Sequence, residues 1–366
     1  MVLSSVDRQE SRKRPPVAMI TGITGQDGGY LAELLLRKGY VVHGLGRDVA
    51  KMESGRLADM ASRNPGLSLH AFDMVQGGRI HELVEQIEPD EIYNLAAQSH
   101  VQKSFEEPDY TIDVNATGTV RLLNAIVKLG MERSTRFYQA SSSEMFGHAT
   151  VGGMQSEETP FHPLNPYAVA KHAAFEATNN FREAYGLHAS NGILFNHESP
   201  FRAPTFVTRK ISLAVAAVHF GSEECLKLGN LDTRRDWGHA RDYVEGMWLM
   251  LQQPEPGDYV LATGVNRSVR EFVEIAFREI GREVEWRGSG IGEEGFDVAS
   301  GRRLVAVDPK FFRPTDVNAT LGNASRARAV LGWTARTSFD QLVREMVEAD
   351  IRRIESSTRS GASHSV

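Results

Sequence analysis

The amino-acid sequence predicts an α/β protein: a doubly wound parallel sheet with a smaller interleaved α/β lobe. Three observations carry that expectation. Short apolar runs alternate with helical patterns from Val17 to Phe195, a glycine-rich turn directly follows the first run, and the regularity loosens beyond Asn196. Strand–helix alternation of this kind implies parallel strands joined by crossover helices and covered on both faces.

The elements follow in order. Residues 1–16 are polar and charged and read as a solvated tail, its basic run Arg12 to Arg14 included. They hold no apolar stretch of the kind a secretory signal needs. Val17 to Thr21 is a strand. A helical pattern comes after the glycine turn, with Leu31, Leu34, Leu35 and Leu36 on one face, and Val41 to Leu45 is the second strand. Ser68 to Phe72 reads as a strand, Ile80 to Ile87 as a helix and Glu91 to Leu95 as a strand. Val114 to Leu129 reads as one long helix, and Arg136 to Ala140 as a strand that ends in serines. Tyr167 to Tyr185 is a helix and Ala189 to Phe195 a strand. Further on, Trp237 to Leu251 reads as a helix and Tyr259 to Ala262 as a strand. Gly288, Gly290 and Gly292 mark a loop, because the stretch after them, Phe296 to Val307, is not helical. The expected division is a sheet domain of 17–195 plus about 233–265, a lobe of about 196–232 plus 266–352, and a Ser/Gly-rich tail of 353–366.

Composition narrows the function classes. The chain has 366 residues, 41 basic and 47 acidic, for a formal charge of −6. That balance gives no support to a nucleic-acid binder. No apolar run approaches the ~20 residues a membrane helix needs. Cys225 is the single cysteine, so no intramolecular disulfide can form, which suits the cytoplasm. No pairs of His or Cys stand at ligand spacing, so no metal is expected.

Chemistry concentrates in a few places. In Thr21-Gly22-Ile23-Thr24-Gly25-Gln26-Asp27-Gly28 the glycines recur every third residue between a strand and a helix. That spacing allows a tight turn and lets backbone N–H groups approach a pyrophosphate at the helix start, the Rossmann arrangement for a dinucleotide. The second strand ends at Gly46-Arg47-Asp48. An arginine at such a tip accepts the 2′-phosphate of NADP, whereas a carboxylate favours NAD, so Arg47 leans towards NADP and Asp48 keeps NAD open. Tyr167 and Lys171 lie one helical turn apart, where the cation favours the phenolate and lets it act as a base. Ser141, Ser142, Ser143 and Glu144 follow a strand end, where doubly wound sheets bind ligands; the same pattern also reads as a helix cap. A carboxylate beside the phenol can take a carbon-bound proton, which a neighbouring ketone acidifies. No Gly-x-Ser-x-Gly elbow supports a serine hydrolase.

Together these pieces resemble the extended short-chain dehydrogenase/reductase family. More narrowly, ITGITGQDG (Ile20–Gly28), EIYNLAAQSHV (Glu91–Val101), FYQASSSEMFG (Phe137–Gly147), NPYAVAK (Asn165–Lys171), NGILFNHESP (Asn191–Pro200), FVTRKI (Phe206–Ile211), RDWGHARDYV (Arg235–Val244) and FFRPTDV (Phe311–Val317) are similar to segments of the GDP-mannose 4,6-dehydratase family, in that family's order. The resemblance runs from about Val17 to Ala349. It implies that Tyr167 is the base for the sugar O4 and Lys171 its activator, that Ser142 bonds O4, and that Glu144 is the base at C5. It places Gly22, Gly25, Gln26, Asp27, Gly28, Arg47, Asp73, Met74, Leu95, Ala96, Ala97 and Ser99 on cofactor-contacting segments. Ser99, Asn196, Lys210, Arg235, Arg313 and Asp316 fall on segments that hold the GDP-sugar. The implied reaction is a closed redox cycle on bound NADP, from GDP-mannose to GDP-4-keto-6-deoxy-mannose, in a homodimer or homotetramer.

Three departures from that family's pattern stand out. The second strand is followed by one arginine and Asp48 rather than two arginines. The basic, glycine-containing stretch after Pro200 is Phe201-Arg202-Ala203-Pro204. Asp316 replaces a glutamate. They leave a related GDP-sugar, such as a GDP-heptose, as an alternative substrate. A GDP-sugar 4-epimerase on the same scaffold is a second alternative, which Glu144 argues against because epimerisation needs no C5 base. A non-catalytic nucleotide sensor is a third, and it would have no use for the Ser–Glu–Tyr–Lys set.

Overall fold

The computed structural model describes residues 14–150, 152–311 and 319–362. Two compact units emerge, each assembled from three stretches of chain. The first runs up to Phe195 and adds Ala240–Ala262 and Gly322–Thr334; the second takes Asn196–His239, Thr263–Leu321 and the chain from Ala335 onward. In chain order the strands are β1 (Val17–Thr21), β2 (Val41–Gly46), β3 (Leu67–Ala71), β4 (Glu91–Asn94), β5 (Arg136–Ser142), β6 (His188–Leu194), β7 (Asn196–Glu198), β8 (Leu226–Leu228), β9 (Arg234–His239), β10 (Asp258–Leu261), β11 (Asn266–Ser268), β12 (Val284–Arg287), β13 (Glu294–Asp297) and β14 (Arg303–Val307).

The first unit carries a seven-stranded sheet in the order β10-β6-β5-β4-β1-β2-β3, every neighbouring pair parallel. The order runs outward from β1 in both directions, so the switch point lies between β1 and β4. In open parallel sheets ligands bind beyond the carboxyl ends of the strands at that point. Two groups of helices flank it: Gln26–Arg37 packs with Ala240–Gln252, and Gly118–Lys128 packs with Gly77–Ile87 and Pro166–Tyr185. Met19, Leu45, Ile92 and Phe137 from the strands meet Ile80, Leu83, Leu122 and Ile126 from the helices, all buried. Each such side chain contributes about 1.5–3 kcal/mol relative to exposure.

The second unit is built from two small sheets and three helices. One sheet orders β11-β9-β7 and the other β12-β13-β14-β8. The helices Val207–His219, Val269–Arg278 and Phe339–Ala362 pack on one another around Ile211, Val215, Phe272, Phe277, Val343 and Met346. Trp237 stacks on Phe339 at 5.8 Å and meets Phe272 edge-on. A fully buried Arg209–Asp350 ion pair, with Ser212 also donating to the carboxylate, ties the first and last of these helices.

Several expectations from sequence need correction. Trp237 to His239 are not helical; they complete β9, and the helix begins at Ala240. The indole is drawn into the aromatic cluster of the second unit, and β9 pairs on both edges, so packing overrides the helical pattern. The segments 234–239 and 263–265 accordingly fall in the second unit, and Gly322–Thr334 in the first. In that last segment Trp333 donates to the Asp242 carbonyl at 2.7 Å. The terminal stretch is not a tail from 353, since the last helix continues to Ala362. Its hydroxyls bond back along the helix, Ser356 and Ser357 to the Arg353 carbonyl and Thr358 to that of Ile354. At the other end, Arg14 pairs with Asp90 at 3.4 Å and the Pro16 carbonyl accepts from Val41 N, so order begins before Val17. The expectations for residues 1–13 lie outside the described residues.

The helix expected over Val114 to Leu129 is interrupted at its start. Asp113–Thr117 is a π turn, and a regular helix begins at Gly118. Asn115 explains the bulge: its amide clamps the Gln98 backbone, accepting from Gln98 N at 2.8 Å and donating to Gln98 O at 3.0 Å. Such turns concentrate at functional sites, and this one braces the loop after β4.

Candidate active site

The glycine turn after β1 is the first part of the site. Gly22 has φ +73°, and a Cβ there would lie 2.8 Å from Ala96 N. A Cβ on Gly28 would lie 2.5 Å from the Gly22 carbonyl oxygen. Neither position admits a side chain, the first because the turn is left-handed and both because other backbone passes too close. Gly25 caps the Gln26–Arg37 helix without any side-chain bond to its first N–H groups. A dinucleotide pyrophosphate fits such a cradle, which presents backbone donors and a helix start to an anion. Gln26 donates to Asp27 at 3.0 Å in the first helical turn.

A buried polar chain fixes the loop beside that cradle. Thr21 donates to Asn94 Oδ1 at 2.7 Å and accepts from Leu95 N and Ala96 N, each at 3.1 Å. Asn94 Nδ2 donates in turn to Thr119 at 3.0 Å and to Gln139 Oε1 at 2.8 Å. The carboxyl ends of β1, β4 and β5 are thereby held together. Leu95, Ala96 and Ala97 are half-buried there, and Ser99 is exposed. Thr21, Thr119 and Gln139 were not singled out from sequence. The available signal was a polar residue at the end of an otherwise apolar strand.

At the end of β2, Arg47 projects to Tyr110 and donates to its hydroxyl. Asp48 turns the other way. Its carboxylate caps the short helix Val49–Met52 by accepting from Lys51 N at 3.1 Å, and it pairs with the Lys51 ammonium. Those two contacts hold the carboxyl below its ordinary pKa, with Arg47 adding to them. Asp73 is half-buried, accepting from Val75 N at 3.3 Å. The side chain of Met74 belongs to the core of the first unit.

The residues expected from sequence to carry the chemistry begin at the end of β5. Ser142 closes the strand, and its hydroxyl accepts from Glu144 N at 3.2 Å, so it does cap the short 3-10 turn Ser143–Phe146. Phe146 anchors that turn against Phe161 and Phe195, and Met145 O accepts from His162 N at 2.8 Å. The chain then enters the Pro166–Tyr185 helix through Asn165, whose side chain caps Ala168 N, with Pro166 at the first position and Gly186 closing the far end. Tyr167 is half-buried in the first turn. Lys171 follows one turn later, its ammonium 6.0 Å from the Tyr167 ring centre and donating to the Ala140 carbonyl at 2.7 Å. Burial pushes the Lys171 pKa down from 10.5 to about 8, against the pull of Asp27. Gln139 donates to the same Ala140 carbonyl at 3.1 Å, so Lys171 joins the polar chain from Thr21. The arrangement offers a hydroxyl, a carboxylate, and a phenol with a cation beside it.

Other residues expected to contact substrate lie in the second unit. Asn196 opens β7, half-buried. Arg235 lies in the middle strand β9, buried, and donates to the Arg234 carbonyl at 3.0 Å. Lys210 sits 3.5 Å over the Phe311 ring and donates to the Lys227 carbonyl; burial and then Lys310 lower its pKa. Arg202, part of the departing stretch, lies 3.1 Å from Glu198 and 3.7 Å from the centre of the Phe206 ring. Arg313 and Asp316 lie outside the described residues.

Comparison with known proteins adds the following. Residues 19–346 match the family described as GDP-mannose 4,6 dehydratase. The GDP-mannose 4,6-dehydratase of Sinorhizobium fredii is 56% identical over 339 residues, covering 92% of this chain and 96% of that one. The Homo sapiens GDP-mannose 4,6 dehydratase is 50% identical over 348 residues, covering 93% of each chain. Among solved structures, Thermus thermophilus UDP-glucose 4-epimerase in complex with NAD has a TM-score of 0.75 at 22% identity, covering 91% of this chain and 98% of that one. That last likeness speaks to the fold alone.

Proposed function

The chain belongs to the GDP-mannose 4,6-dehydratase family, and on that premise we propose that it converts GDP-mannose to GDP-4-keto-6-deoxy-mannose on a tightly held NADP. The observation that carries this reading is the carboxylate of Glu144, held by Asn165 at the entrance of the helix that bears Tyr167 and Lys171. Oxidation and reduction at one carbon need no second base; elimination does.

In this reading the chain's residues do the following. Ser142 donates to the sugar O4, and Tyr167 takes the O4 proton as C4 is oxidised to the ketone. The Lys171 ammonium stabilises the phenolate. The C4 carbonyl acidifies C5, Glu144 removes the C5 proton and passes it to the C6 hydroxyl, which leaves as water. The nicotinamide, when bound, supplies the hydride acceptor at C4 and the donor at C6. Tyr167 returns its proton to C5 after hydride reaches C6, and the phenolate is restored at the end of the cycle. No net oxidant is consumed, so the contribution of the protein is positioning and proton transfer.

Cofactor contacts are assigned to the Gly22–Gly28 turn, Asp73 and Leu95–Ala97, with Lys171 and Tyr167 beside the reacting end. NADP is favoured because the Arg47 guanidinium, which donates to Tyr110, stands at the β2 tip where a 2′-phosphate is expected, while Asp48 is committed to Lys51. Asn196, Lys210 and Arg235, with Arg313, are assigned to the GDP moiety, for which arginine forks suit the pyrophosphate. A cytoplasmic homo-oligomer is part of the same proposal. Among the described residues no helix is long and apolar enough to cross a membrane.

The test is mass spectrometry of GDP-mannose incubated with the purified protein, with and without added NADP. Loss of one water with no net cofactor reduction is the expected result. An isomer of unchanged mass marks a 4-epimerase. No change at all moves the substrate to another GDP-sugar and draws attention to Arg202, Pro204 and Asp316.

A further inference from the structure

We infer that Asn165 is a positioning residue which locks the elimination base, Glu144, to the helix carrying the oxidation base, Tyr167. The inference rests on the dehydratase reading above. Asn165 is buried, with 6% of its surface exposed, and its side chain bonds in two directions. Its Oδ1 accepts from Ala168 N at 2.8 Å, and its Nδ2 donates to Glu144 Oε2 at 3.1 Å. The orientation of the amide is not arbitrary. A backbone N–H can only donate, so the oxygen must face Ala168, which leaves the NH₂ for the carboxylate.

Pro166 reinforces the geometry from the other side. A residue before proline is held to extended backbone, and Asn165 sits at φ −147°, ψ 159°. The approach of the loop is fixed as well, by the His162 N to Met145 O bond and the packing of Phe161 on Phe146. Glu144 is thus held from a helix start whose next residue but one is Tyr167. The reaction requires a proton taken from O4 and then one taken from the adjacent C5. One base held by the side chain that caps the helix bearing the other keeps that one-carbon offset through the cycle.

The cap and the carboxylate contact can be separated. Asn, Asp and Ser serve about equally as helix caps, but serine has no amide to offer Glu144, and aspartate offers it a like charge. In Asn165→Ser, nicotinamide reduction in a single turnover is expected to stay within about twofold of wild type, while loss of water slows about 100-fold, the cost of a misplaced reacting group. The 4-keto hexose then accumulates and is captured by borodeuteride as a hexose labelled at C4. In Asn165→Asp, elimination is expected to fall as well, with its acid limb moved to higher pH because two facing carboxylates share a proton. Asn165→Asp also carries the test alone if the serine variant does not fold. Elimination at wild-type rate in the serine or aspartate variant overturns the inference. So does a parallel loss of both chemical steps together with a lowered thermal midpoint, which would make Asn165 a cap and nothing more. If the wild-type chain removes no water from GDP-mannose, the functional reading itself fails, and that is seen before any variant is made.

Discussion

Two buried carboxylates, Glu91 in the first unit and Asp350 in the second, are satisfied in different ways. In the first, the buried carboxylate Glu91 is met by neutral donors, the Tyr40 and Tyr93 hydroxyls and the Gln252 amide. The chain from Thr21 through Asn94 to Thr119 and Gln139 is neutral throughout. In the second, the buried carboxylate Asp350 faces the guanidinium of Arg209, and Asp297 faces that of Arg282. The difference teaches where charge is tolerated. The chain that Lys171 joins is neutral, and the charge that acts on its ammonium is that of Asp27. In the second unit the Arg209–Asp350 pair ties two helices together.

The sharpest way to break this comparison is Asp350→Ala. Removing one partner of a buried pair strands the Arg209 charge and is expected to cost about 3–5 kcal/mol, read as a lowered urea midpoint. A midpoint within error of wild type would mean the pair is not a determinant of the second unit. Gly22→Ala comes next. A strained left-handed residue typically costs about 1–3 kcal/mol, and here the new methyl also meets Ala96 N, so weakened retention of the nicotinamide cofactor is expected on dialysis alongside lower stability.

Glu91→Gln should do less, about 1 kcal/mol or below at neutral pH, because its partners are neutral and can reorient. Burial holds the Glu91 carboxyl above its ordinary range. The stability this shift contributes is present in acid and lost as pH rises through the folded pKa. The Gln variant should therefore lose ground to wild type mainly at acid pH, and equal destabilisation at all pH values would refute that sign.

Lys171 gives the smallest effect. The stability its depressed pKa contributes is full above about 10.5 and is lost progressively as pH falls through about 8. Activity should respond in the opposite sense, declining above about pH 8 as the ammonium proposed to assist Tyr167 is lost. A flat alkaline limb in the pH–rate profile would count against that role.

Legibility from sequence followed the same division. The glycine turn, the Ser142–Glu144 segment and the Tyr167–Lys171 pair were readable because each is local, defined by spacing within one turn or one helix. Asn165 carried a legible signal, an Asn-Pro helix start, but its bond to Glu144 spans 21 residues. Thr21 and Asn94 are 73 residues apart, and Asn94 and Gln139 are 45 apart. No periodicity encodes such pairings. β9 was misread for a related reason, since Trp237 fits an amphipathic helix as well as a strand until Phe272 and Phe339 are there to receive it. The continuation of the last helix beyond 353 was hidden by its serines, which composition assigns to a tail.

The threading of the chain between its units also bears on how the protein is made. β6 gains its outer neighbour only when β10 returns, and the last piece of the first unit, Gly322–Thr334, emerges after most of the second. A nascent chain therefore carries the β6 edge unpaired while Phe195 to Gly257 are being made, the kind of exposed strand that invites pairing with other chains. Production of this enzyme should depend on chaperone supply at that stage, and a transcript cut short within the second unit should yield aggregate rather than a free cofactor-binding half.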